Sequence, residues 1–333
     1  MKKVLICTLI MLVSVCAFAG PGDWSFYKTT DTPGLTIGVQ RVSTDSTGAA
    51  YYSVNMSGGE QSVYKATDPT SPSFTLIVRD DSMSNGFQGM CSDSSNNFYA
   101  MGESGAAGSG ALRKFDSSGN LVTSFGTGGV VNPEDRMTGM DIMSDDNTLI
   151  ATTFGGQMWT FDATTGTSET AANTGSGNYV RDLAVQPDDG AGNDVIFFNQ
   201  SGDLKRITGG SVSDPTGYTT VEDWGTGITN TDTSWQVRAG VGYFAADDTV
   251  IYANKDDNQV YVVNASTGDL VQTLGSGVVD ASADVESGDF VQPSDAEVFV
   301  SGEYDYLVVP MAVSKVSIYR KQNESKVTDW NLY

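Results

Sequence analysis

Four oxygen-bearing side chains crowd the stretch PDDGAGND at 187–194: Asp188, Asp189, Asn193 and Asp194. A glycine-flexed loop of carboxylates and amides suits a hard cation such as Ca2+. The EF-hand spacing is absent, because the residue eleven beyond Asp188 is Asn199 rather than a bidentate Glu. Two smaller clusters, Asp145-Asp146-Asn147 and Asp256-Asp257-Asn258, repeat the composition. The competing reading is that Asp and Asn are the residues β-turns use, since their side chains bond nearby backbone N–H groups. A second constellation lies in short runs of small residues: Asp141, Asp182, Asp295 and Glu297. Asp295 and Glu297 share a face if their segment is a strand. Converging, the four could hold a divalent metal that polarises an ester carbonyl; dispersed, they are polar residues lining hydrated space.

Other chemistry is excluded by composition. The chain contains no histidine, which removes Ser-His-Asp and Cys-His pairs, histidine-ligated metals and imidazole proton shuttles. Of three cysteines, Cys7 and Cys16 lie in the N-terminal segment, leaving Cys91 beside Ser92 and Asp93 with no base or cation to activate it. No phosphate-cradling loop or dinucleotide fingerprint occurs.

The elements that must position these residues are strands. Runs rich in Val, Ile, Tyr, Phe and Thr alternate with clusters of Gly, Asp, Asn and Ser, the pattern of many strands joined by tight turns. Six segments repeat one phrase of small-residue strand, polar turn and more apolar strand, starting near 38, 86, 136, 180, 237 and 293. Their turns align at Asp45, Asp93, Asp145, Asp188, Ala246 and Gly302. A third strand follows each, often closed by an Asx-to-Gly turn: Asp116/Gly119, Asp162/Gly166, Asn264/Gly268. Fourth strands are expected at FTLIV (74), LVTSF (121), YTTVEDW (218) and DLVQTL (269). Four strands in each of six units describe an all-β, six-bladed β-propeller, with seven blades as the alternative because the 209–234 excursion could hide extra strands. DWSFYKTT at 23 and SKVTDWNLY at 325 are candidate outer strands that fasten the ring.

At the N-terminus, Lys2 and Lys3, the apolar run 4–15 and Ala17-Phe18-Ala19 read as a signal peptide over 1–19, leaving residues 20–333 as one propeller domain. A lipoprotein anchored at Cys16 is the other form of export. Periplasmic, cell-surface or extracellular locations follow, with no membrane span in the mature chain. The formal net charge of -23 speaks against nucleic acid and anionic lipid.

VYVVNASTGDLVQTLGSG (260–277) resembles a repeat of the YVTN family of surface and envelope propellers, and KFDSSGNLVTSFGTGGVV (114–131) resembles NHL-type repeats. The resemblance implies a propeller and is one of turn and strand grammar. The architecture is also similar to gluconolactonase-like propellers, which bind a divalent metal in the central channel through Glu, Asn and Asp; no such motif matches residue by residue here. The expected function is a non-catalytic binding or surface scaffold with a protein or glycan partner at the envelope, self-assembly being a further form of it. A metal-dependent hydrolase or lyase working from Asp141, Asp182, Asp295 and Glu297 is the alternative. The 102–110, 187–194 and 209–234 excursions are where functional variation would sit.

Overall fold

The structure, a computed structural model, describes residues 23–32, 39–55, 61–79, 86–102, 110–133, 137–173, 180–187, 193–228, 239–277 and 285–323. The strand β1 (Ser25–Asp31) comes first in the chain and last in the ring. Blade 1 is β2 (Val39–Thr44), β3 (Ala50–Asn55), β4 (Gln61–Ala66) and β5 (Thr75–Arg79). Blade 2 is β6 (Phe87–Ser92), β7 (Phe98–Gly102), β8 (Ala111–Phe115) and β9 (Val130–Val131); blade 3 is β10 (Met137–Ile142), β11 (Thr148–Thr153), β12 (Gln157–Asp162) and β13 (Ser168–Asn173). Blade 4 is β14 (Val180–Gln186), β15 (Val195–Gln200), β16 (Asp203–Thr208) and β17 (Thr220–Asp223); blade 5 is β18 (Ala239–Phe244), β19 (Thr249–Asn254), β20 (Gln259–Asn264) and β21 (Leu270–Leu274). Blade 6 is β22 (Glu297–Ser301), β23 (Tyr304–Pro310) and β24 (Lys315–Gln322), completed by β1 on the outside in the order β1-β24-β23-β22.

This is a six-bladed β-propeller, and all neighbours within a blade are antiparallel, as short polar turns between successive strands dictate. The 209–234 excursion supplies β17 to blade 4 and no seventh blade among the described residues. Each first strand contacts the first strand of the next blade, and β22 returns to β2. Six apolar clusters fill the seams. Blades 5 and 6 share one built on Trp24, Phe244, Phe290 and Tyr319, and blades 3 and 4 one built on Ile150, Met158, Phe198 and Tyr218. Strand alternation drives this layout: each sheet is apolar on both faces because both face a neighbouring blade.

The turns obey the expected Asx chemistry. Asp45 Oδ1 accepts from the backbone N–H groups of Thr47 and Ala49 at 3.0 and 3.1 Å; Asp93 Oδ1 does the same for Ser95 and Asn97. Asp116, Asp162 and Asn264 likewise hold the turns closing their third strands.

One expected strand is absent. LVTSF at 121–125 makes a single bridge, Leu121 to Phe115, and then turns; the outer strand of blade 2 is the short β9 instead. The reason is Phe125, which is fully buried against the Tyr99 ring at 6.0 Å, while Gly126 N–H reaches the carbonyl of Thr165 in blade 3. Burying that ring in the seam outweighs the strand preference of the segment. The signal segment 1–19, the candidate strand 325–333, and Asp188 and Asp189 lie outside the described residues.

Candidate functional site in the central channel

The first strands carry small residues because their backbones crowd the axis. A Cβ on Gly139 would stand 2.5 Å from Cα of Asp182, and one on Gly240 would stand 2.3 Å from Cα of Asp295. Both lie below any tolerable contact, so glycine is required there.

Arg41 of β2 reaches across the axis. Its Nε donates to the Gln88 carbonyl at 2.8 Å and its Nη2 to the Arg181 carbonyl at 2.6 Å. Nη1 donates to the Ser294 carbonyl and to Asp182 Oδ2, each at 3.2 Å. One guanidinium, 4 % exposed, thus joins blades 1, 2, 4 and 6 across the axis. Five donors in a rigid fork make arginine the side chain suited to so many acceptors at once.

The candidate acids occupy this same channel. Asp141, Asp182, Asp295 and Glu297 all line a cavity of about 270 Å3 beside Arg41, with Ser43, Thr44, Cys91 and Tyr243. The three aspartates are not open to it in the same way. Each accepts a backbone N–H from the next blade: Asp141 Oδ2 from Val185 at 2.7 Å, Asp182 Oδ2 from Val241 at 3.0 Å and Asp295 Oδ2 from Val42 at 2.8 Å. They rivet the seams 3/4, 4/5 and 6/1. Glu297 makes no such bridge among the described residues and lines the cavity partly buried.

Burial sets the protonation of the group. It pushes the Asp141 carboxyl up to about 6, against the N–H bonds from Val185 and Ile142. Burial raises Asp182 well above its ordinary value, opposed by Arg41, and raises Asp295. Glu297 is driven well up, first by burial and then by the charges of Asp295, Asp141 and Asp182. The Cys91 thiol is also pushed well up by burial and by Asp141, Asp93 and Glu297, which fits a protonated, inert thiol.

Among the described residues, no three His, Cys, Asp or Glu side chains are placed to hold a metal ion together. Three of the four channel acids already accept backbone N–H groups, and Glu297 is the one that does not bridge to a neighbouring blade among the described residues.

The turn clusters form a second belt of rivets. Asn96 Oδ1 accepts from Ser46 N–H and Oγ at 3.0 and 2.7 Å; Asp146 accepts from Ser94 N–H at 2.8 Å and from its hydroxyl. Asp194 Oδ2 accepts from Ser144 N–H at 2.8 Å, and Asp248 Oδ1 from Gln186 Nε2 at 2.9 Å. Each crosses from one blade's first turn to the preceding blade's, covering seams 1/2 to 4/5. Asn96, Asp146 and Asp248 reach across from left-handed backbone, φ 60°, 54° and 52°, which Asn and Asp tolerate best among residues with a Cβ.

Of the 188–194 group, Asn193 is exposed and Asp194 is buried. Asp145 caps its own turn through the N–H groups of Asn147 and Thr148. Asn254 holds the turn containing Asp256 and Asp257, and Asn258 Oδ1 accepts from Gln292 N–H at 2.6 Å. Sequence reasoning missed Arg41, Asn96 and Asp248. The available signal for Arg41 was a lone arginine inside a first strand otherwise free of charge.

No family model matches the chain, and the search of curated proteins finds no match. Among the described residues no helix is long and apolar enough to cross a membrane.

Proposed function

We propose that this propeller is exported and acts as a non-catalytic binding or surface scaffold, meeting a protein or glycan partner at the cell envelope. The observation that supports this most is the use made of the channel: Arg41 joins blades across the axis, and Asp141, Asp182 and Asp295 tie neighbouring blades together. Groups held for structure are poor candidates for transition-state chemistry, which needs donors aimed at developing charge. Rigid blades then leave recognition to loops and outer faces. Export rests on the signal-like residues 1–19.

Glu297, raised and facing the cavity, favours the second reading of a hydrolase or lyase. The two separate in one assay. The protein is incubated with a panel of lactones and aryl esters, with Mg2+, Mn2+, Ca2+ or Zn2+ in turn. The scaffold reading expects no turnover above that of Glu297→Gln; turnover that this substitution abolishes would put the hydrolase in its place.

A further inference from the structure

We infer that the outer part of blade 6 carries a binding site for an acidic glycan, centred on Arg320 and Tyr27. The inference rests on the binding-scaffold reading and names its ligand. Arg320 lies on β24, between β1 and β23 in the sheet. Its guanidinium carbon sits 4.4 Å from the centre of the Tyr27 ring on β1 and 4.9 Å from that of Tyr304 on β23. A second cation, Lys28 Nζ, lies 5.4 Å from the Tyr27 ring centre. Tyr306 continues the group, 6.1 Å from Tyr27 and 6.2 Å from Tyr304 between ring centres. It is backed by buried Phe299, stacked on it at 5.1 Å and 11°.

The charge state of this patch is what marks it. The chain holds 41 acidic side chains against 18 Lys and Arg. Lys65, Lys205, Arg206 and Lys315 each pair with a carboxylate. Among the described residues Arg320 and Lys28 pair with none; the Tyr27 and Tyr304 rings flank Arg320, the Tyr27 ring lies beside Lys28, and Asp68 is among the charges that act on Tyr306. Cation–π contacts hold a guanidinium in place without using its N–H groups, which remain for a ligand. A planar fork of N–H donors matches a carboxylate in bidentate fashion.

The rest of the patch decides the class of ligand. Tyr27 is 38 % exposed, Tyr304 and Tyr306 are partly exposed, and their hydroxyls make no hydrogen bond among the described residues. Rigid amphipathic rings offer apolar area at low entropic cost and a polar tip at the edge. A pyranose ring has the complementary surface, C–H groups on its faces and hydroxyls around its rim. A uronic acid adds the carboxylate that Arg320 and Lys28 require. Tilts of 64° between Tyr27 and Tyr306 and 54° between Tyr304 and Tyr306 present a stepped surface, fitting a twisted chain of sugars rather than one flat ring.

The test titrates the purified protein, by calorimetry in EDTA-containing buffer, with three probes. These are oligogalacturonate, the same oligomer with its carboxylates reduced to alcohols, and polyglutamate of similar length. Oligogalacturonate binds and the reduced oligomer does not. Arg320→Gln and Tyr27→Ala each weaken binding by about tenfold or more, the scale of lost hydrogen bonds to a charged group. Arg320→Lys, which keeps the charge and loses the fork, also weakens it. Thermal melts of the variants match the parent, showing that the fold is intact. No binding of oligogalacturonate, or equal binding by folded Arg320→Gln, overturns the inference and leaves the scaffold reading standing. Polyglutamate binding as tightly as the uronate overturns it in favour of an acidic protein segment. New reducing ends in the oligogalacturonate would instead sink the non-catalytic reading, while loss of affinity in Arg320→Gln would still place the glycan here.

Discussion

Arg41 has its donors shared among Gln88, Arg181, Asp182 and Ser294, so removing it strands a buried carboxyl and several buried carbonyls at once. Leaving a buried hydrogen-bonding group without its partner costs about 1–3 kcal/mol. Arg41→Met should lower the urea midpoint accordingly, and adding Asp182→Asn should recover part of the loss; a single variant as stable as the parent would remove the channel bond from the account of stability. Asp141 gives a pH prediction with a definite sign. Its carboxyl titrates at about 6 when folded and at 3.8 ordinarily, so the native state holds the proton more tightly. The stability from that proton is full below the ordinary value and is lost as pH rises through the folded one. Asp45, Asp116 and Asp162 are lowered, so their contributions vanish instead as pH falls below the same 3.8. The melting temperature of Asp141→Asn, compared with the parent from pH 4 to pH 7, should therefore show a flatter decline. An unchanged slope would mean the carboxyl is ionised like an exposed one.

At the level of elements, one kind of turn does two jobs. The first Asx of a turn folds its own backbone, as Asp93 does, and the Asx at the left-handed position beyond it reaches the preceding blade, as Asn96 does. This dual use explains why acidic clusters that resemble cation loops recur at regular intervals. The loop at 188–194 remains the place to look for calcium, with Asp188, Asp189 and Asn193 as the candidate oxygens and Asp194 already bonded to Ser144. A melt in EDTA and then in millimolar Ca2+ checks it. A ligand at a hundred times its Kd stabilises by about 2.7 kcal/mol, a rise of roughly several degrees in a domain of this size. A rise absent with Mg2+ would support the calcium loop; no shift would leave these residues as turn and rivet.

For the molecule as a whole, closure is the property that sets stability. The ring is fastened by β1, which pairs along β24 from Ser25↔Arg320 to Asp31↔Lys315. Trp24, just before it, is buried in the seam with blade 5; its backbone N–H donates to Gln272 Oε1 and its carbonyl accepts from Gln272 Nε2. Deleting residues 23–31 would bare the edge of β24 and uncover that seam, and an unpaired edge recruits other chains. The deletion should lower the melting temperature and produce oligomers in light scattering. A monomer that melts as the parent does would show that closure lies elsewhere.

The repeating blade grammar and the turns at Asp45, Asp93 and Asp145 were legible in the sequence because they follow from local rules, alternation along a strand and Asx-Gly chemistry at its ends; the turn expected at Asp188 lies outside the described residues. The acids of the channel were also visible as residue types, and the structure does gather Asp141, Asp182, Asp295 and Glu297 around one cavity. Their partners were not visible. Asp182 meets Val241, and Asp295 meets Val42 at the far end of the chain, through a closure no local pattern encodes. The same holds for LVTSF, whose strand preference yields to a seam that wants Phe125 inside. By itself, then, the sequence determined the all-β character and the repeating strand-and-turn unit, because those depend on residues a few positions apart. Only the tertiary structure decided which carboxylates act as rivets, which arginine reaches across the axis and which stands between tyrosines with no carboxylate among the described residues. Those outcomes depend on desolvation and on neighbours brought together by ring closure.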